Sequence, residues 1–104
     1  MVAKNYNFSK IKKITEVLLE NEDGLWLRKL SRESKIPVST LHYYLENVLV
    51  NMVDSVGARD EDGNFFGVRV IRLKRGVFNK LLEDRSEGTL RKLLKTTEIL
   101  NHST

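Results

Sequence analysis

The sequence predicts an α+β domain that is mostly helical, with three helices, a β-hairpin and a C-terminal helical extension. Two patterns lead to this fold class. Apolar residues recur at helical spacing over much of 8–49, and β-rich segments replace that pattern over 53–58 and 65–73. A chain of 104 residues, 40% hydrophobic and 31% charged, is typical of one folded domain. We therefore expect a single hydrophobic core.

The first helix is predicted to begin near Phe8, where Asn7 or Ser9 can cap its N-terminus, and to end before Gly24. A short apolar stretch directly after the glycine predicts a brief strand. Trp26 lies in this stretch between two leucines. We expect it in the core, because a tryptophan in such surroundings is more often buried than exposed.

The second and third helices are predicted over 27–34 and 38–49, separated by Pro37, which ends one helix and suits the first turn of the next. One arc of the third helix carries its apolar residues and is the predicted buried face: Leu41, Tyr44, Leu45, Val48 and Leu49. The opposite face is polar and aromatic. It is centred on Ser39, Tyr43 and Glu46, with His42 on one side and Thr40 and Asn47 on the other.

The β-hairpin is predicted from two β-rich segments that flank the turn sequence 59–64. On its second strand Phe66, Val68 and Val70 alternate with Arg69 and Ile71. Because side chains of a strand point to alternate faces, we expect the first set to pack inward while Arg69 stays solvated.

The C-terminal extension is predicted as a short helix near residues 77–82 followed by an amphipathic helix with a narrow apolar stripe: Leu90, Leu93, Leu94, Thr97 and Leu100. The stripe has two interpretations. It either completes the monomer core by packing on the first helix, or pairs with the same helix of a second subunit. We favour the homodimer.

Composition restricts the classes of function. The formal charge of +4 and the pI near 9.5 favour a polyanionic partner. Cysteine is absent, and His42 and His102 lie too far apart in sequence to begin a zinc site, so we predict no metal and no cofactor. The acidic pair Glu83-Asp84 has no adjacent base or nucleophile, which predicts no catalytic site. No membrane-spanning or signal segment is evident, and we expect a cytoplasmic protein.

The stretch 27–49, LRKLSRESKIPVSTLHYYLENVL, resembles the winged helix-turn-helix family of DNA-binding domains, in particular archaeal transcriptional regulators. The positions that carry the resemblance are Leu30, Ser31, Ile36, Leu41 and Tyr44, where the family needs a small residue between apolar anchors. Lys35 stands where many members have glycine, because the backbone there is left-handed. The resemblance implies a winged helix-turn-helix domain over 1–76, with an extension over 77–104.

The same resemblance implies that the helix near 38–49 enters the major groove of duplex DNA, as the recognition helix does in this family. Base edges would be read by His42, Tyr43, Asn47 or Glu46, with Ser39 and Thr40 near the helix start. Phosphates would be contacted by seven basic residues on the second helix, the hairpin and its exit: Arg28, Arg32, Lys35, Arg69, Arg72, Lys74 and Arg75. The acidic tip 60–62 is expected to stay clear of DNA.

The expected function is sequence-specific DNA binding in transcription regulation, by a dimer without enzymatic activity. The alternative is a winged-helix scaffold that binds protein in a transcription or replication assembly. The uncharged, aromatic outer face of the third helix and the acidic hairpin tip suit a protein partner as well as DNA.

Overall fold

The computed structural model describes residues 6–62 and 65–102, apart from the side chains of 58–59, 65–68 and 96–102. Within these residues the fold is α+β and mostly helical, as predicted. The elements in chain order are α1 (Phe8–Leu19), β1 (Leu25–Trp26), α2 (Leu27–Ser34), α3 (Val38–Asn47), β2 (Val53–Arg59), β3 (Phe65–Leu73), α4 (Arg75–Glu83) and α5 (Glu87–His102). The strands form one antiparallel sheet in the order β1-β3-β2.

Helix α1 begins at the predicted cap. The Asn7 side chain accepts a hydrogen bond of 2.8 Å from the backbone N–H of Ser9, which satisfies one of the free donors at the helix start. After the helix the chain reverses at Gly24, whose φ of +97° lies in the region that favours glycine. This reversal leads directly into β1.

The connection between α2 and α3 is tight and has left-handed geometry at Lys35, with φ 60° and ψ 30°. The N–H of Lys35 donates to the carbonyl of Ser31, and the Ser31 hydroxyl donates to the carbonyl of Ile36 at 2.5 Å. Pro37 then precedes α3 in an extended conformation. The left-handed conformation typical of the family at this position is present, and a lysine adopts it.

The sheet packs against the helices through one face, and the prediction for β3 chose the wrong face. Ile71 is fully buried and Arg69 is only 9% exposed, whereas Val70 is only partly buried. Arg69, Ile71 and Leu73 share the buried face, because side chains alternate along a strand. Next to Arg69 the register shifts: Gly57 pairs with Arg69 but Ala58 pairs with Phe66, so β3 has two additional residues there. The Phe66 and Val68 side chains lie outside the described residues.

The expectation for Trp26 was also wrong, since its side chain is 60% exposed. Strand β1 has only two residues, and they must point to opposite faces of the sheet. Leu25 pairs with Ile71 and is buried, which leaves the outer face for Trp26.

Helices α4 and α5 belong to the same hydrophobic core as α1 to α3. Their contributions to the core are Val77, Phe78, Leu81, Leu90 and Leu94. The start of α5 also lies against α1, where Lys12 pairs with Glu87 at 3.6 Å and the Arg91 guanidinium lies 3.9 Å from the centre of the Phe8 ring. The first half of the apolar stripe of α5 is thus covered within the monomer. The Thr97 and Leu100 side chains lie outside the described residues.

Candidate nucleic-acid interface

The exposed side of α3 carries a ridge of three residues spaced by four, Ser39, Tyr43 and Asn47, which we call the outer ridge. All three are exposed. The five residues predicted to be buried over 38–49 occupy the opposite arc and are buried. The Asn47 amide donates to the Tyr43 carbonyl at 3.0 Å. Thr40, also predicted at this interface, is half-buried beside the ridge. The outer ridge therefore presents hydroxyl, phenol and amide groups.

Arg69 connects the hairpin to His42 and Glu46, which lie one turn apart on α3. One guanidinium nitrogen donates to Oε1 of Glu46 at 2.6 Å and to the hydroxyl of Ser55 at 3.1 Å. The other terminal nitrogen lies 3.3 Å from Nδ1 of His42. These contacts join β2, β3 and α3 through one buried side chain. Arg69 was predicted to be a solvated phosphate contact, and the expected solvent exposure was wrong because Arg69 lies on the same face of β3 as the buried Ile71 and Leu73.

The Arg69 contacts change what α3 presents to a partner. The Glu46 carboxylate is paired with a cation and so repels an approaching anion less than a free carboxylate would. A guanidinium can only donate, so in this contact Nδ1 of His42 is the acceptor. Both groups were predicted to read bases, and both are now engaged through Arg69.

The basic residues of α2 are exposed cations on the helix that precedes α3. Arg28, Arg32 and Lys35 are exposed, and none of them makes an ion pair or side-chain hydrogen bond with another described residue. Arg28 and Arg32 are one helical turn apart and share a side of α2. The three predicted basic residues are thus exposed on α2 and its turn, and α2 packs directly on α3.

The basic residues at the hairpin exit are placed differently. Arg72 lies on the sheet face opposite to Arg69, and its Nε is 4.0 Å from a carboxylate oxygen of Asp54. Arg75 donates to Glu22 at 2.6 Å and lies over the Phe78 ring. Lys74 is exposed at the start of α4. Arg72 therefore does not lie beside the outer ridge. Arg72 and Arg75 each pair with a carboxylate.

Sequence reasoning missed an apolar row on the outer face of the sheet. Trp26, Val70 and Val56 pair across the three strands, and Trp26 and Val56 are 60% and 50% exposed. The row lies on the face opposite to Arg69 and hence away from α3. A two-residue strand can bury only one of its two large side chains, and no signal in the sequence says which one.

The hairpin tip is acidic and exposed at residues 60–62, where the N–H of Asp62 donates to the Asp60 carboxylate at 3.0 Å in a local turn. In 6–62 and 65–102 no group of three or more histidine and acidic side chains is arranged to hold a metal ion. The same residues contain no helix with the length and apolar character needed to cross a membrane.

The part of the chain that the structure describes thus combines an exposed polar ridge on α3, cations on α2 that make no ion pair within that part, and a buried arginine that fixes the hairpin against α3. No family model, no curated protein and no solved structure matches the chain.

Proposed function

We propose that the chain is a winged helix-turn-helix module that binds duplex DNA, with α3 in the major groove and the β2–β3 hairpin as the wing. The observation that carries the proposal is the exposed outer ridge of α3, together with exposed cations on the neighbouring helix α2 that make no ion pair with another described residue. The order helix, short strand, helix, tight turn, helix and hairpin is compatible with that arrangement.

In this proposal α2 and α3 have different roles. The exposed cations Arg28, Arg32 and Lys35 contact phosphates and supply the salt-dependent part of the affinity. The outer ridge of α3 contacts base edges. Arg69 positions the wing by holding Glu46 and does not itself meet a phosphate. The acidic tip at 60–62 stands away from the DNA because phosphates repel it.

We propose further that the module regulates transcription as a homodimer and performs no catalysis. A dimer lets two α3 helices meet half-sites one turn of DNA apart. Leu90 and Leu94 are already buried in the monomer core, so pairing through α5 would use the rest of its apolar stripe. Sedimentation equilibrium of the full chain tests the dimer, and a single monomeric species at all concentrations contradicts it.

The test of DNA binding is the salt dependence of duplex affinity, measured by fluorescence anisotropy. Arg32→Gln should weaken binding to all duplexes and lower the slope of log affinity against log salt by about 1, the value for one lost phosphate contact. The matched control is Arg85→Gln, the same change in the exposed α4–α5 connection, which should leave the slope unchanged.

Two results would overturn the proposal. One is the absence of salt-dependent binding to any duplex. The other is an equal loss of slope for Arg32→Gln and Arg85→Gln, because the electrostatic effect would then reflect net charge and not a surface next to α3.

A protein-binding scaffold is the second candidate, and the apolar row of Trp26, Val70 and Val56 favours it. Exposed apolar side chains in a contiguous group are typical of protein contacts. This function predicts a stoichiometric protein partner that is lost on Trp26→Ser, together with negligible duplex affinity. Tyr43→Ala distinguishes the surfaces, because loss of the same partner would place the contact on α3 instead.

A further inference from the structure

Helix α3 lacks the side chains that most often recognise guanine. Its sequence from Val38 to Asn47 contains neither lysine nor arginine, the residues that donate two hydrogen bonds to O6 and N7 of guanine. Arg69 contacts α3, but it is buried and paired with Glu46. Nδ1 of His42 already faces Arg69, and the one remaining ring nitrogen cannot by a single hydrogen bond separate guanine from other bases.

The Asn47 amide has the pattern that adenine requires. Its Nδ2 gives one hydrogen to the Tyr43 carbonyl at 3.0 Å, which leaves one N–H and the Oδ1 acceptor. Adenine presents an acceptor at N7 beside a donor at N6, so the two groups pair with the amide. Guanine presents acceptors at both N7 and O6, and Oδ1 would then face another oxygen.

Tyr43 supplies a fixed apolar surface one turn before Asn47. Its ring is 39% exposed and lies edge-on to the Tyr44 ring, with the centroids 5.8 Å apart and the planes at 77°. Tyr44 is itself held, because its hydroxyl accepts a 2.7 Å hydrogen bond from the N–H of Asn7. An apolar side chain in the major groove contacts the 5-methyl group of thymine, the only methyl group there.

We propose, on the basis of the proposed DNA-binding function, that α3 reads A·T base pairs through the major groove. Asn47 pairs with the adenine edge and the Tyr43 ring contacts the thymine methyl group. The inference names the chemical class of the target site, which is an A·T step and not a G·C step.

Four duplexes of equal length test the readout with the full chain. The first has an alternating A·T core, and the second has an alternating G·C core. The third replaces every A·T pair of the first by inosine·cytosine, which keeps the minor groove of A·T but has the major-groove pattern of G·C. The fourth replaces thymine by uracil and so removes only the methyl groups. Anisotropy titrations at two salt concentrations measure each affinity.

We expect the A·T duplex to bind about tenfold or more tightly than the inosine·cytosine duplex, the size of one good base contact. Asn47→Ala should bring that ratio close to one while salt-dependent binding persists. Asn79→Ala, the same change at an exposed position of α4, is the matched control and should keep the ratio. Uracil substitution should weaken binding several-fold, and Tyr43→Ala should abolish this difference.

The outcomes separate the two proposals. Salt-dependent binding that is equal for all duplexes, or stronger for G·C, overturns the A·T readout and leaves the proposed function standing. Equal affinity for the A·T and inosine·cytosine duplexes, both above G·C, assigns the selectivity to the minor groove and also overturns it. The absence of binding to every duplex overturns the proposed function and the inference together.

Discussion

Gly24 has a backbone conformation that favours glycine and no space for a Cβ atom. Its φ of +97° is one that residues with a side chain rarely adopt. A Cβ placed on it would lie 2.8 Å from the carbonyl oxygen of Ile71 and 2.8 Å from a methyl carbon of Val70. The close approach exists because β1 pairs with β3 at the very next residue.

Gly24→Ala should therefore lower the free energy of unfolding by about 1–3 kcal/mol, through the strained φ and the displacement of β3. Gly76→Ala is the matched change. Gly76 lies in α4 with no atom near its Cβ position, and alanine there should raise stability by up to about 1 kcal/mol. Urea denaturation monitored by circular dichroism measures both, and equal effects of the two substitutions would contradict the structural account.

Single residues show where prediction from sequence succeeds and where it fails. The resemblance indicated a left-handed position at Lys35, and the structure has it there, although a looser turn would have avoided it. The exposure of Trp26 was not predictable, since composition favours a buried tryptophan and only the pairing of Leu25 with Ile71 decides which side chain is buried. Tertiary pairing overrode residue preference in that case.

At the scale of elements, the helices were more predictable than the hairpin. The apolar spacing of α3 repeats over three turns, so its buried and exposed arcs follow from the sequence alone. Both faces of β3 carry apolar residues, Val70 on one and Ile71 on the other, so alternation alone does not say which face packs inward. For this reason the outer ridge was predicted but the role of Arg69 was not.

The ion pair between α3 and β3 should show an asymmetric energetic signature. Glu46→Gln leaves the Arg69 cation buried without its carboxylate and should cost about 1–3 kcal/mol. Arg69→Met removes the buried charge together with its desolvation penalty and should cost less. In the Arg69→Met background, Glu46→Gln should have almost no effect.

Chemical denaturation of the four proteins of this double-mutant cycle provides the measurement. Glu33→Gln, at an exposed glutamate of α2 without an ion pair to another described residue, is the control and should change stability by less than about 0.5 kcal/mol. An equal cost of Glu46→Gln in both backgrounds would mean that Arg69 does not hold α3 against the hairpin.

At the scale of the whole molecule, the C-terminal helices complete the core that α1 begins. Leu90 and Leu94 are buried in the same cluster as Ile11 and Ile14. Of the two interpretations of the α5 stripe, packing within the monomer accounts for its first half, and the homodimer stays a prediction for the remainder. The sequence could not decide between them because both bury the same narrow stripe.

Leu90→Ala should lower the free energy of unfolding by about 2–5 kcal/mol, the usual cost of removing a buried leucine. Leu82→Ala is the matched control, since Leu82 on α4 is 54% exposed and should lose less than about 1 kcal/mol. Thermal and urea unfolding measure both. Similar losses for the two variants would show that α5 does not close the core.

The contact of Arg91 with Phe8 joins α5 to α1, two helices far apart in sequence, and this separation delays folding during synthesis on the ribosome. Helix α1 is made well before α5, the helix that covers it. At about 5–20 residues per second, α1 waits on the order of seconds for that cover. During this interval the nascent chain presents an apolar surface to chaperones, and this core is completed only after α5 has emerged from the ribosome.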